Sequence, residues 1–244
     1  MLVPPRHCRF PCKTFWGAVA FVACILVPAG GGRAQQGYKS ELDSLRMYAV
    51  NVFRTPRQPW PGYGIYLGQG LVITAAHVVG RVGSANPTVS IAGQEIEAEP
   101  VKQGDFGGVD LTLLRIATLR LPVRMGLRVL PLCDAPPVPG EPVVVVIPES
   151  VAPSSILSPE MLPADVRSRF NTVIADVAST GNSGSGVFDA AKQCLLGIMS
   201  RKIQRRYVTV TNGVRVEKLI DIAKYFVPAA QIRQFITANH QGGG

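Results

Sequence analysis

The chain has 244 residues, 47% of them hydrophobic and 17% charged, with a formal net charge of +9. That balance excludes a disordered polypeptide and leaves room for one domain with a full core, or for a two-lobed domain of barrel type. The 25 glycines and 20 prolines favour many short elements joined by tight turns.

The first 34 residues read as a leader. Arg6, Arg9 and Lys13 form a basic start, an apolar run follows over 15–29, and Gly30-Gly31-Gly32-Arg33-Ala34 precedes Gln35. A basic region, a short apolar core and small residues two apart (Gly32 and Ala34) describe a secretory signal peptide, 1–34, cut after Ala34. The run is broken by Pro28 and is shorter than the roughly 20 residues of a membrane span. The leader carries four basic residues and no acid, so its removal lowers the net charge from +9 to +5. A mildly basic protein of that kind gives no argument for a nucleic acid partner. Cys8, Cys12 and Cys24 leave with the leader. The remaining pair, Cys133 and Cys194, forms one disulfide or stays as two buried thiols, and the sequence leaves both open. The expected location is exported, either periplasmic or secreted, with no membrane partner once the leader is cut.

Residues 35–46 are polar and read as a loose or helical lead-in. From there the pattern predicts short strands over 48–53, 64–67, 70–74, 88–91, 96–101, 111–116, 142–147, 172–177, 186–189, 195–200 and 207–211. Each is rich in Val, Ile, Leu or Tyr, and most are bounded by turn formers. So many short strands predict an all-β sandwich or barrel rather than a parallel sheet. Residues 118–128 and the stretch Pro136-Pro137-Val138-Pro139-Gly140 divide the strands into two groups. One amphipathic helix is expected near the end, opened by Pro228 and running to about 238.

Histidine is scarce: His7 lies in the leader, His240 in a glycine-rich tail, and only His77 in the body of the chain. A histidine zinc centre is therefore excluded, and any imidazole base must be His77. It follows the apolar strand 70–74 through Ala75 and Ala76, which would bring the ring out where the chain turns. Alone, it is more often a core histidine satisfied by backbone. Asp110 heads the Leu-rich segment Leu111-Thr112-Leu113-Leu114. Out of context it is a cap or turn residue; as a partner it would fix the imidazole tautomer and stabilise the imidazolium. Asp105 is the weaker competitor. Thr180-Gly181-Asn182-Ser183-Gly184-Ser185-Gly186 is either a flexible loop or a strained turn that exposes the Ser183 hydroxyl. In the latter case the backbone N–H groups of Gly181 and Ser183 would form an oxyanion hole. The G-x-S-x-G of α/β-hydrolases fits neither Ser183 nor Ser185.

Thr74-Ala75-Ala76-His77, Asp110-Leu111-Thr112-Leu113-Leu114 and Gly181-Asn182-Ser183-Gly184-Ser185, in that order, resemble the three signature segments of chymotrypsin-like serine proteases. The stretch 176–185 followed by Val187-Phe188 is similar to a bacterial branch with HtrA-type and glutamyl endopeptidases, without PDZ domains. The resemblance implies two six-stranded antiparallel β-barrels with the site between them and a C-terminal helix. The domain would span 35–240, with barrels at about 48–117 and 129–225. It implies a serine endopeptidase with catalytic His77, Asp110 and Ser183, working through an acyl-enzyme on a protein or peptide substrate, with no metal or organic cofactor. A catalytically silent peptide-binding protein on the same fold is the alternative. By the same resemblance Ser200 stands beside the aspartate at the start of the strand that pairs with substrate. Val177 falls at the floor of the pocket for the residue before the cut, and Lys202 lies on the substrate strand. Met199 stands where glutamyl endopeptidases carry a histidine, which argues against glutamate specificity. Arg201, Lys202, Arg205 and Arg206 are either a solvated basic edge or a preference for acidic residues near the cleft.

Overall fold

The structure is a computed structural model that describes residues 41–55, 58–81, 86–175, 183–211 and 214–238. Six strands form a closed antiparallel barrel in the order β1-β2-β3-β6-β5-β4. They are β1 (Ala49–Phe53), β2 (Gly62–Gly68), β3 (Leu71–Thr74), β4 (Thr88–Ile91), β5 (Gln94–Gln103) and β6 (Thr112–Ile116). Period-two alternation puts Val89 and Ile91 of β4 inside while Thr88 and Ser90 are half-buried. Val50, Tyr66, Val72, Leu114 and Ile116 fill the same interior. Ala92 and Gly93, both at positive φ, make the tight turn that returns β4 into β5. A one-turn helix α1 (Ala76–Val79) follows β3.

Residues 117–141 cross to the second half and include the turn helix α2 (Val123–Gly126). A six-stranded sheet follows in the order β8-β7-β10-β11-β12-β9. Its strands are β7 (Pro142–Ile147), β8 (Ser150–Ser155), β9 (Val173–Ile174), β10 (Gly186–Asp189), β11 (Leu195–Thr211) and β12 (Val214–Pro228), with α3 (Ala164–Arg167) between β8 and β9. Four successive valines in β7 are buried because the strand is covered on both faces. Val144 and Val146 join the large core around Phe188 and Leu195, whereas Val143 and Val145 join a second cluster with Cys133, Cys194 and Phe226. The strands at the two ends of the order also meet: Ala175 N–H donates to Ser155 O at 3.1 Å, Leu157 N–H to Val173 O at 2.9 Å, and Ile156 bridges Ile174.

Cys133 and Cys194 form a disulfide with Cα atoms 5.0 Å apart, tying the crossover to the start of β11. Helix α4 (Ala229–Thr237) closes the chain with Pro228 as N-cap and Ile232 fully buried. Two strands, β8 and β12, escaped the sequence pattern, and β11 was expected as two separate strands, 195–200 and 207–211. β8 contains Pro153 and three serines, as a strand at the end of the order can. β11 runs unbroken through the basic residues 201–206, and β12 pairs with it for its whole outer length, from Lys202↔Lys224 to Thr211↔Val214. Together they project as a two-stranded ribbon.

Candidate active site

β3 and β6 are neighbours in register, with Thr74 opposite Thr112. His77 lies three residues beyond one strand end and Asp110 two residues before the other, so the two meet at the same rim of the barrel. His77 Nδ1 is 2.8 Å from Asp110 Oδ2, and the backbone N–H of His77 donates to Asp110 Oδ1 at 3.1 Å. Asp110 is 1% exposed and takes a further hydrogen bond from Ser200 Oγ at 2.6 Å. Burial pushes this carboxyl upward, but the hydrogen bonds from His77 and Ser200 and the His77 charge outweigh it and hold it below the ordinary aspartate range. An ionised Asp110 accepts the Nδ1 proton, which leaves Nε2 as the acceptor.

The nucleophile candidate arrives from the other half of the molecule. His77 Nε2 is 2.6 Å from Ser183 Oγ, within reach of its proton. The turn that presents Ser183 is held on both sides. Tyr63 N–H in β2 donates to Ser183 O at 3.0 Å, Gly184 N–H donates to Met199 O at 2.8 Å, and Met199 N–H returns to Ser185 O at 2.8 Å. Gly184 has φ +87°, and a Cβ there would collide with the Tyr63 carbonyl oxygen and with Thr74 Oγ1. Glycine is required on both counts.

Asp105, the competing carboxylate, is used locally: its Oδ1 accepts the N–H groups of Gly107 and Gly108, each at 2.8 Å. Ser200 is buried beside Asp110, and its carbonyl lies 3.4 Å from Ser183 Oγ. Lys202 turns its amine to Asp221 Oδ2 on β12 at 2.8 Å. Gly181 and Val177 lie outside the described residues.

Phe106, Phe170 and Arg54 carried no sequence signal, and Arg201 was read only as part of a basic edge. Arg201 donates through Nε to Ser200 Oγ at 3.3 Å and through a terminal nitrogen to Phe106 O at 2.6 Å. Its guanidinium lies 3.8 Å from the centroid of the Phe106 ring and 4.9 Å from that of Phe170. Phe106 in turn meets the His77 ring edge-on at 5.1 Å. The imidazole is thus flanked by an aromatic ring that an arginine clamps. Arg54 donates to the carbonyls of His77 and Val78. A cleft of about 630 Å³ opens there, lined by Arg54, Gln58, Trp60, Gly62, His77 and Ser183. Among the described residues one group could bring three metal-ligating atoms together, Cys133, Asp189 and Cys194, but its sulfurs are spent in the disulfide.

A closed six-stranded barrel, a second β sheet, a terminal helix and a serine–imidazole–carboxylate chain at their junction define the trypsin-like class of β protein. A family model described as trypsin-like peptidase domain matches residues 62–198, more than half of the chain. The chain belongs to that family of serine endopeptidases. The fold is similar to the serine endoprotease from Yersinia pestis, at 19% identity and a TM-score of 0.58, over 82% of this chain and 65% of that one. It is also similar to kallikrein-related peptidase 10, at 20% identity and a TM-score of 0.55, over 80% of this chain and 94% of that one. A third similarity is to the Rv3671c protease from M. tuberculosis in its active form, at 19% identity and a TM-score of 0.52, over 82% and 85% of the two chains. No curated protein matches the chain by sequence.

Proposed function

We propose that this protein is an exported serine endopeptidase that cleaves protein or peptide substrates through an acyl-enzyme. The observation that carries the reading is one imidazole touching both partners, Asp110 through Nδ1 at 2.8 Å and Ser183 Oγ through Nε2 at 2.6 Å. Ser183 Oγ attacks the scissile carbonyl while His77 takes its proton. His77 then gives the proton to the leaving amine, and water repeats the sequence on the ester. Asp110 stays ionised, keeps Nδ1 protonated and stabilises the imidazolium. The backbone N–H groups of Gly181 and Ser183 are assigned to the oxyanion. Val177 is assigned to the floor of the pocket for the residue before the cut, with Ser200 and Lys202 on the strand that pairs with substrate backbone.

The second sheet is read as the second barrel of the fold, an assignment supported by the hydrogen bonds between 155–157 and 173–175. Export through the leader 1–34 into the periplasm or medium is supported by the disulfide, which persists in oxidising compartments. Incubation with a fluorophosphonate probe tests the chemistry. Covalent labelling is expected on Ser183 and is expected to vanish in Ser183→Ala. Folded protein that takes no label between about pH 6 and 9 would instead be a silent peptide-binding relative.

A further inference from the structure

The ribbon formed by β11 and β12 starts at the nucleophile, and that origin gives it a use. On one edge β11 pairs with β10 only over Leu195–Ile198, where Gly186 opposes Ile198 and Phe188 opposes Leu195. The segment that carries Ser183 continues the line of β10 for one more step, through the paired hydrogen bonds of Gly184 and Ser185 with Met199. Beyond it, from Ile203 to Val210, no described strand lies against this edge, while β12 occupies the other edge throughout. A polypeptide laid on the open edge in the direction of β10 would run antiparallel to β11 and deliver its C-terminal side to Ser183. Its upstream residues would follow the ribbon outward.

We propose that β11 is a long template for the upstream part of the substrate, selecting an extended polypeptide with acidic residues about six to eight positions before the cut. That position follows from the matching rise of ~3.3 Å per residue in paired strands. The inference rests on the peptidase reading, because Ser183 marks the cut. The charge argument comes from β11 itself, which carries Arg201, Lys202, Arg205 and Arg206 and no Asp or Glu. Residues directly opposite in an antiparallel pair share a face. One face of the ribbon therefore holds Arg206, Glu217 and Arg215, and another acid, Asp221, bonded to Gln204. Its charges are answered within the ribbon. The other face holds Arg205 opposite Ile220, Tyr207 opposite Lys218 and Thr209 opposite Val216, two cations and no carboxylate. An acidic side chain of an added strand supplies the missing charge, and the exposed Tyr207 and Val216 offer apolar contact on either side. Main-chain bonds along the edge give affinity for any extended chain, and the cationic face gives the preference.

The test separates this template from the chemistry at Ser183. Fluorescein-labelled peptides share four residues before the scissile bond and are extended upstream to ten, with either Glu or Lys at the sixth and eighth positions. Binding is read by anisotropy on the Ser183→Ala protein. The ten-residue Glu peptide is expected to bind at least ten times tighter than the four-residue peptide and the ten-residue Lys peptide. Arg205→Gln should erase the Glu-over-Lys preference, and Arg205→Glu should reverse it. Equal affinity for the short and long peptides, or for the Glu and Lys peptides, overturns the template. Fluorophosphonate labelling of the unmodified protein is scored separately, so a failure of the peptidase reading shows as absent label whatever the peptides do.

Discussion

The barrel and the ribbon are made of the same antiparallel ladder, yet they treat apolar side chains in opposite ways. In the barrel Val89, Ile91, Leu114 and Ile116 are at most 3% exposed, because six strands close around them. In the ribbon Val210 is 67%, Val214 62% and Leu219 56% exposed, because only two strands are present there and, among the described residues, no second layer covers either face. Apolar burial at about 25 cal/mol per Å² drives the first to fold, and a free two-stranded hairpin is marginal in water. The ribbon is held by the inner halves of β11 and β12, which stay in the sheet. Its outer sequence contributes little to folding and is free to serve contacts.

That comparison is tested hardest where the two halves meet. Ser183→Ala and His77→Ala should each lower kcat/KM for a peptide by about 10⁴ or more, and Asp110→Asn by about 10⁴ in kcat, with Ser183→Ala leaving the thermal midpoint nearly unchanged. Inside the barrel, Leu114→Ala should cost about 2–5 kcal/mol in urea unfolding, through lost burial and the cavity left behind. At the β10–β11 turn, Asp189 is buried and its Oδ1 accepts the N–H groups of Ala191 and Lys192 at 2.8 and 2.9 Å. Asp189→Ala should therefore cost about 1–3 kcal/mol, read by the same method.

A smaller effect comes from acid. The Asp110 carboxyl titrates lower in the folded protein than its ordinary 3.8, so its stabilising contribution is complete above that value and is lost as pH falls through the folded value. The stability difference between the wild type and Asp110→Asn should shrink as pH falls below about 4, measured by thermal unfolding. The smallest effect belongs to the ribbon. Val210→Ser should change unfolding free energy by no more than about 0.5 kcal/mol. A loss comparable to that of Leu114→Ala would mean that the ribbon is a packed part of the core, and the contrast would collapse.

The two regions also differ in how they could be read from the chain. β4, β7 and β10 stand where alternation or continuous apolar runs place them, since a buried face imposes its period on the sequence. β12 has no such face over its outer half. Val214-Arg215-Val216-Glu217-Lys218-Leu219-Ile220 mixes apolar and charged residues on both sides, and only the pairing with β11 reveals it. His77, Asp110 and Ser183 are singled out in the sequence by residue type and order, and the structure brings the three side chains together where β3 and β6 set the rim. The Arg201–Phe106–Phe170 clamp is not. Its members are dispersed over 95 positions and are brought together by the junction of barrel and sheet, which no local pattern encodes.

The bond from Tyr63 N–H to Ser183 O bears on how the molecule could be divided. Ser183, the proposed nucleophile, is stitched by main chain to a strand of the half that does not contain it, and Gly184 lets the two backbones touch. A polypeptide severed in the crossover, residues 117–141, and produced as two fragments should be inert to the fluorophosphonate as separate pieces. Labelling should return only when the fragments are mixed and reassociate. Such a split pair would report, through one covalent signal, whether its two halves have found each other.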